Sequence, residues 1–137
     1  PRSTLFPYTT LFRSVHEDYL YGYRSRPESM CHAMNDNVFH LLIICDKVKE
    51  VYKQNNFFEQ SKYAYLEYLV RETLIGVKGC RDDLRTPFLE EARKRLNILI
   101  PELEEERYKQ DIRYELSQDI LHLDGNTLRK KYRSLWI

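Results

Sequence analysis

The sequence predicts a mainly α-helical chain, in which one short amino-terminal strand, orphaned from an α/β sheet, feeds a bundle of four to five helices. Two observations carry this. From Val38 onward apolar residues recur at three- and four-residue spacing, the period of a helix with one buried face. Before that point Tyr19, Tyr21 and Tyr23 alternate, the period of a strand packed on one side. A lone strand is marginal in water, so it is expected to complete a sheet formed by other residues.

Taken in order, the elements are separated by recognisable punctuation. Arg24 to Asn37 carries Pro27, Ser29, Asn35 and Asn37 without periodicity and reads as a loop. A first helix over Val38 to Gln54 places Val38, Leu41, Leu42, Cys45, Val48 and Tyr52 on one stripe behind the caps Asp36 or Asn37, and ends at Asn55-Asn56. A second, starting behind Ser61 and closing over Gly76 to Gly79, aligns Tyr63, Leu66, Val70, Leu74 and Val77. Thr86-Pro87 is a strong start signal, because the threonine oxygen caps free amides and proline loses nothing at the first helical position. That third helix buries Phe88, Ala92, Leu96 and Leu99 and stops at Pro101. Glu102 to Leu123, with Leu103, Ile112, Leu116, Ile120 and Leu123, makes a further helix or pair of helices, broken at Asp124-Gly125-Asn126. Leu128 to Trp136 forms a last basic turn or two.

The first residues, PRSTLFPYTTLFRS, resemble at every position an in-frame translation of a widely used short-read sequencing adapter. Pro1 to Ser14 is therefore set aside from fold reasoning as an artefact expected to carry no ordered structure. This changes the charge argument. Arg2 and Arg13 are two of the 22 basic residues and no acidic residue lies there, which leaves 20 basic against 21 acidic. The slight basicity of the whole chain is no sign of nucleic acid, whose binders carry a basic patch or stripe.

Other classes are bounded similarly. The longest apolar run, Phe39 to Cys45 interrupted by His40, falls far short of the ~20 residues a membrane span needs. Cys31, Cys45 and Cys80 form no C-x-x-C pair, which argues against zinc and a disulfide framework and for a reducing cytoplasm. No Ser/His/Asp arrangement, phosphate loop or dinucleotide glycine pattern is present.

The segment richest in chemistry is Tyr21-Gly22-Tyr23-Arg24-Ser25-Arg26-Pro27-Glu28-Ser29, an aromatic strand running into two arginines and a serine. Guanidinium forks suit phosphate oxygens and a nearby hydroxyl adds a donor. The other reading is that Arg24 and Arg26 leave the strand into solvent. His32 follows this loop and reads best as a further donor-side contact. His32, Asp36 and His40 are spaced across a loop and a helix start, poorly suited to a metal, and His16 and His122 read as surface residues. Asp82-Asp83 reads as a charged turn before Thr86, and Glu17-Asp18 as exposed. The chain carries 11 tyrosines, and Tyr63, Tyr65 and Tyr68 at helical spacing read as core and rim rather than a sugar platform.

On these residues the chain resembles the bacterial family 2 glycosyltransferases that build capsules, teichoic acids and other surface polysaccharides. The family follows its catalytic core with a strand of the form Tyr-x-Tyr-Arg-x-Arg-x-x-Ser, then a helix ending near Asn-Asn-x-Phe-Glu, as in Asn55-Asn56-Phe57-Phe58-Glu59. The stretch KYAYLEYLVRETL from Lys62, and Phe88 through Leu99 into Pro101, are similar to its helical tail. Gly22 departs from the aromatic residue often found there.

The resemblance implies that residues 15–36 end a catalytic domain and that 37–137 are a carboxy-terminal helical extension. The parent would move a sugar from a nucleotide-diphosphate donor to a glycan acceptor in the cytoplasm, at the inner face of the membrane. Arg24, Arg26, Ser29 and His32 would approach the donor diphosphate. The parent would also use a divalent metal, Mg or Mn, held by an Asp-x-Asp motif that is not in this sequence. The fragment itself, lacking that motif and a general base, is expected to need no cofactor and to be inactive. The basic end Arg129, Lys130, Lys131 and Arg133, with Leu128, Leu135 and Trp136, suits either an anionic membrane surface or a solvated last helix. The alternative function is a non-enzymatic helical module for protein–protein interaction.

Overall fold

In the computed structural model, which describes residues 37–134, six helices follow one another through short turns. They are α1 (Phe39–Gln54), α2 (Phe58–Gly79), α3 (Asp82–Leu99), α4 (Glu105–Gln110), α5 (Tyr114–His122) and α6 (Gly125–Lys131), with a 3-10 turn at Ile100–Glu102 before α4. The mainly helical class is as the periodicity predicts, with one helix more than expected. The Tyr19–Tyr23 strand and the adapter-like segment lie outside the described residues.

Helix α1 buries Leu42 and Cys45, with Val38 buried just before it, and half-buries Leu41, Val48 and Tyr52, the stripe read from spacing. The residue before the helix is Val38, with no side-chain cap, in place of the expected Asn37, while Asp36 lies outside the described residues. The end is well defined. Asn56 adopts φ 57°, a left-handed conformation that Asn tolerates better than most residues. The amide of Phe57 then donates to Tyr52 O at 2.8 Å and that of Asn56 to Lys53 O at 3.1 Å, closing the α1 carbonyls. Because this turn reverses the chain at once, α2 begins at Phe58 rather than behind Ser61. Phe58 is buried edge-on against Tyr65, with ring centroids 5.8 Å apart, under the ammonium groups of Lys49 and Lys53.

Helix α2 is the centre of the fold and packs against α1, α3, α5 and α6. Its buried face is accordingly broad: Tyr65, Leu66, Leu69, Val70, Thr73, Leu74, Gly76 and Val77. The buried Thr73 hydroxyl donates to Leu69 O at 2.7 Å, so it carries no desolvation penalty. Gly76 sits where a Cβ would collide with the buried ring of Phe88 on α3. Gly76→Ala should gain up to about 1 kcal/mol of helix propensity, yet lose about 1–3 kcal/mol to overpacking. The expected net effect is destabilisation that shrinks in a Phe88→Leu background, measured as coupling in a double-mutant denaturation cycle.

Helix α3 starts at Asp82, four residues before the Thr86-Pro87 signal, and Pro87 lies inside it. Two forces favour the earlier start. Asp82 and Asp83 place negative charge in the first turn, where the helix dipole favours it. Arg85 must also be helical for its guanidinium to reach the end of α2. Pro87 is exposed, beside the exposed Asp83 and Thr86, so its ring removes one helical amide donor at the surface and not in the core.

The charged stretch after Pro101 makes two helices and not one continuous stripe. Arg113 clamps the corner, giving its backbone amide to Asp111 Oδ1 at 2.9 Å and its guanidinium to Asp111 Oδ2 at 2.8 Å and Glu67 Oε2 at 2.6 Å. This turns Ile112, expected in the core, outward to 86% exposure. The Asp124-Gly125-Asn126 break proves to be a helix start. Asp124 Oδ1 accepts from the amides of Asn126 at 2.9 Å and Thr127 at 3.0 Å, and α6 follows with Leu128 buried.

Candidate functional site

The residues that sequence reasoning put nearest to chemistry, Arg24, Arg26, Ser29 and His32, lie outside the described residues, as do Glu17, Asp18, Cys31 and Asp36. His40 and His122 are exposed. Asp82 and Asp83 open α3, correcting their reading as a turn, and each is engaged by arginine. Asp83 is forked by Arg81 at 3.1 Å through both oxygens, while Asp82 accepts from Arg85 at 2.7 Å and lies 3.6 Å from Arg129. Of the clustered tyrosines, Tyr65 is core. Tyr63 is rim, stacked under Arg107 at 4.2 Å and donating to Glu104 O at 3.3 Å. Tyr68 is half-buried with Val48, Tyr52, Glu67 and Arg71 along a groove of about 430 Å³ between α1 and α2.

The most organised polar cluster centres on Arg85, which is 3% exposed. Its Nε donates to Val77 O at 3.0 Å, one terminal nitrogen to Cys80 O at 3.3 Å and to Asp82 Oδ1 at 2.7 Å, and the other to Asn126 Oδ1 at 2.7 Å. One planar fork thus ties the end of α2 to the starts of α3 and α6, a task that suits arginine's fixed donor geometry. Gly125 makes the approach feasible, since a Cβ there would strike the Arg85 side chain.

This staple fixes a basic cleft. Lys78, Asn126, Arg129, Lys130 and Arg133 line, among the described residues, a hollow of about 630 Å³ beside α6. Lys131, within the same basic run, is used differently. It turns to the other flank and pairs with Asp119 and with Glu115 at 3.3 Å, while the Tyr132 hydroxyl also donates to Asp119. Burial pushes the Tyr132 phenol up to about 12, with the Asp119 contact acting in the same direction.

No protein-family model, curated protein or solved structure matches the chain. The site therefore has to be read from its own chemistry. Among the described residues no three His, Cys, Asp or Glu side chains converge as a metal's ligands would, so the divalent ion implied for the parent finds no cradle in them. No described helix is long and apolar enough to cross a membrane. Cys45 and Cys80 are buried, and burial lifts the Cys45 thiol to about 12, the behaviour of a small hydrophobe rather than a nucleophile.

Sequence reasoning singled out Arg129, Lys130 and Arg133 but missed Lys78, Asn126 and their organiser Arg85. The legible signal was Asp124 three residues before Thr127, a helix start that would have placed Asn126 in a first turn.

The Asp119 and Asp111 clusters carry a pH dependence. Burial opposes ionisation at both, but hydrogen bonds from Lys131 and Tyr132 to Asp119, and from Arg113 to Asp111, hold both carboxyls below their ordinary range. A carboxyl whose folded value is depressed stabilises the fold above its unfolded value of about 3.9 and loses that contribution as pH falls through the folded value. Stability should therefore fall between about pH 5 and pH 2. Asp119→Asn should lose less across that window, as followed by chemical denaturation at each pH.

Proposed function

We propose that the chain is the carboxy-terminal part of a bacterial glycosyltransferase that moves a sugar from a nucleotide-diphosphate donor to a cell-surface polysaccharide acceptor. Residues 37–134 would serve as its helical extension. What supports the reading is the Asn55-Asn56-Phe57-Phe58-Glu59 turn. The motif that carries the resemblance falls on a left-handed Asn56 and a buried Phe58, so its residues have a definite job in joining α1 to α2. The Tyr-x-Tyr-Arg-x-Arg-x-x-Ser segment precedes that helical pair in the order the family would require.

In this proposal Arg24 and Arg26 offer guanidinium donors, and Ser29 and His32 further polar contacts, to the diphosphate as it leaves. Such donors stabilise charge that develops on a leaving group. A divalent ion, in the intact parent, would neutralise the same diphosphate. The helices would brace the parent's catalytic domain, at the inner face of the membrane. Purified residues 15–137, given nucleotide-sugar donors and Mg or Mn, should transfer no sugar. Metal-dependent transfer by that piece alone would contradict the assignment.

One observation favours the second reading, a helical interaction module without catalysis. Ile44 and Val51, two turns apart on α1, are 47% and 52% exposed. A face of this kind suits a protein partner.

A further inference from the structure

Independently of the transferase reading, we infer that the Asp124-Gly125 linkage is a site of isoaspartate formation which the docked α6 holds closed. Undocking of this helix would open the linkage to a covalent change. The pair exists because two separate demands of the fold meet there. Asp124 caps α6: its Oδ1 accepts from the amides of Asn126 at 2.9 Å and Thr127 at 3.0 Å, and its Oδ2 from the Thr127 hydroxyl at 2.5 Å. Gly125 is buried against α3, where a Cβ would come within 2.5 Å of Arg85 Cγ. A cap carboxylate is thus followed by a residue with no side chain. In that pairing the next backbone nitrogen meets the least obstruction on its way to the carboxyl carbon.

The reaction needs no reagent but water. Gly125 N attacks Cγ of the protonated Asp124 carboxyl, the N–Cγ bond forms and the Cγ–OH bond breaks. The amide proton and the hydroxyl leave together as water. A second water then opens the five-membered imide at the main-chain carbonyl carbon of Asp124, breaking its bond to the nitrogen. The chain afterwards runs through Cγ, with one more methylene in the backbone and a carboxylate directly on Cα.

The docked helix opposes each stage. Asp124 has φ −68° and ψ 160° with its oxygens turned toward Asn126 and Thr127, so ring closure requires main chain and side chain to leave the cap together. The Thr127 hydroxyl, with the capped amides, holds the carboxyl below its ordinary range, and an ionised carboxylate is a poor acceptor for a nitrogen nucleophile. Beyond the cap, Asn126 Oδ1 accepts from Arg85 at 2.7 Å and Leu128 is completely buried. These restraints are released when α6, only seven residues long, lifts from its neighbours as a local opening. An isoaspartate then prevents closure. The added methylene shifts Asn126 and Thr127 out of register with the carboxylate, and Arg85 loses its acceptor on α6.

The tryptic peptide 114–129 carries the linkage. Isoaspartate in it is read by fragmentation mass spectrometry, and by methyl transfer from S-adenosylmethionine with an isoaspartyl O-methyltransferase. During warm incubation at mildly acidic pH, the full chain unfolded in urea should accumulate isoaspartate at residue 124. The folded chain should do so roughly tenfold more slowly or less, because only its open fraction reacts. Asn126→Ala removes the acceptor that Arg85 uses on α6 and leaves the Asp-Gly pair intact. It should raise the folded rate by about threefold or more, taken as a ratio to the same variant's rate in urea. Asp124→Glu, whose ring would be six-membered, should give no such product. Equal rates in the folded and unfolded chain overturn the proposal. So does a folded rate untouched by Asn126→Ala, or an unfolded chain that forms no isoaspartate at residue 124.

Discussion

Replacing Arg85 by Met should destabilise the folded chain by about 3–5 kcal/mol, because it removes a buried cation and leaves its partners unpaired. The carbonyls of Val77 and Cys80 lose Arg85, and Asn126 loses the donor that orients it. Each buried group left without a partner costs about 1–3 kcal/mol. The exposed Asp82 contributes little, since its pair with Arg85 is open to water at one end. A domain of this size has only about 5–15 kcal/mol in total, and each kcal/mol moves its melting point by about 4–8 °C. A drop of at least about 12 °C is therefore expected in a calorimetric scan. Arg85→Lys should recover little of it, because one ammonium cannot span acceptors on three helices. A lysine variant as stable as the parent chain would show that charge alone, and not the fork, holds the junction.

Phe88→Ala should cost a similar amount, about 3–5 kcal/mol, for a different reason. The ring is completely buried, meets Phe39 of α1 edge-on with centroids 5.9 Å apart, and fills the space left by Gly76 of α2. Truncation therefore opens a cavity where three helices meet. Rigid neighbours on every side limit how far it can collapse, so the loss should sit at the upper end of the range. Urea denaturation should show a lower midpoint with an unchanged slope. A loss under about 1 kcal/mol would mean that the α1–α2–α3 junction repacks freely.

These two residues also show what was legible in the sequence. The stripe of α1 could be read because one face alternates cleanly with charged residues, and its end because Asn55-Asn56 signals a stop. The start of α2 was misplaced because Ser61 looked like a cap, whereas the turn through Asn56 and the burial of Phe58 decide it without any cap. Thr86-Pro87 is a sound local signal that lost to a tertiary one. Arg85 has to be helical to reach Val77, Cys80 and Asn126, contacts that no local window contains. Ile112 followed the same rule: helical spacing placed it inside, and the Asp111–Arg113–Glu67 clamp turned it out.

The basic cleft was half visible for a related reason. Arg129, Lys130 and Arg133 are neighbours in sequence and announce a basic end. Lys78 and Asn126 join them only because the Arg85 staple brings the end of α2 against α6. Charge runs can be read along a chain, but the cleft they line depends on contacts between helices distant in sequence.

The functional account rests on the aromatic strand motif and the helical extension belonging to one transferase. Sequencing the genomic locus across the Val15 codon tests this most directly. The account predicts an uninterrupted reading frame upstream that encodes a parallel α/β nucleotide-sugar domain with an Asp-x-Asp motif. A start codon immediately before Val15 would contradict it and leave the helical interaction module standing.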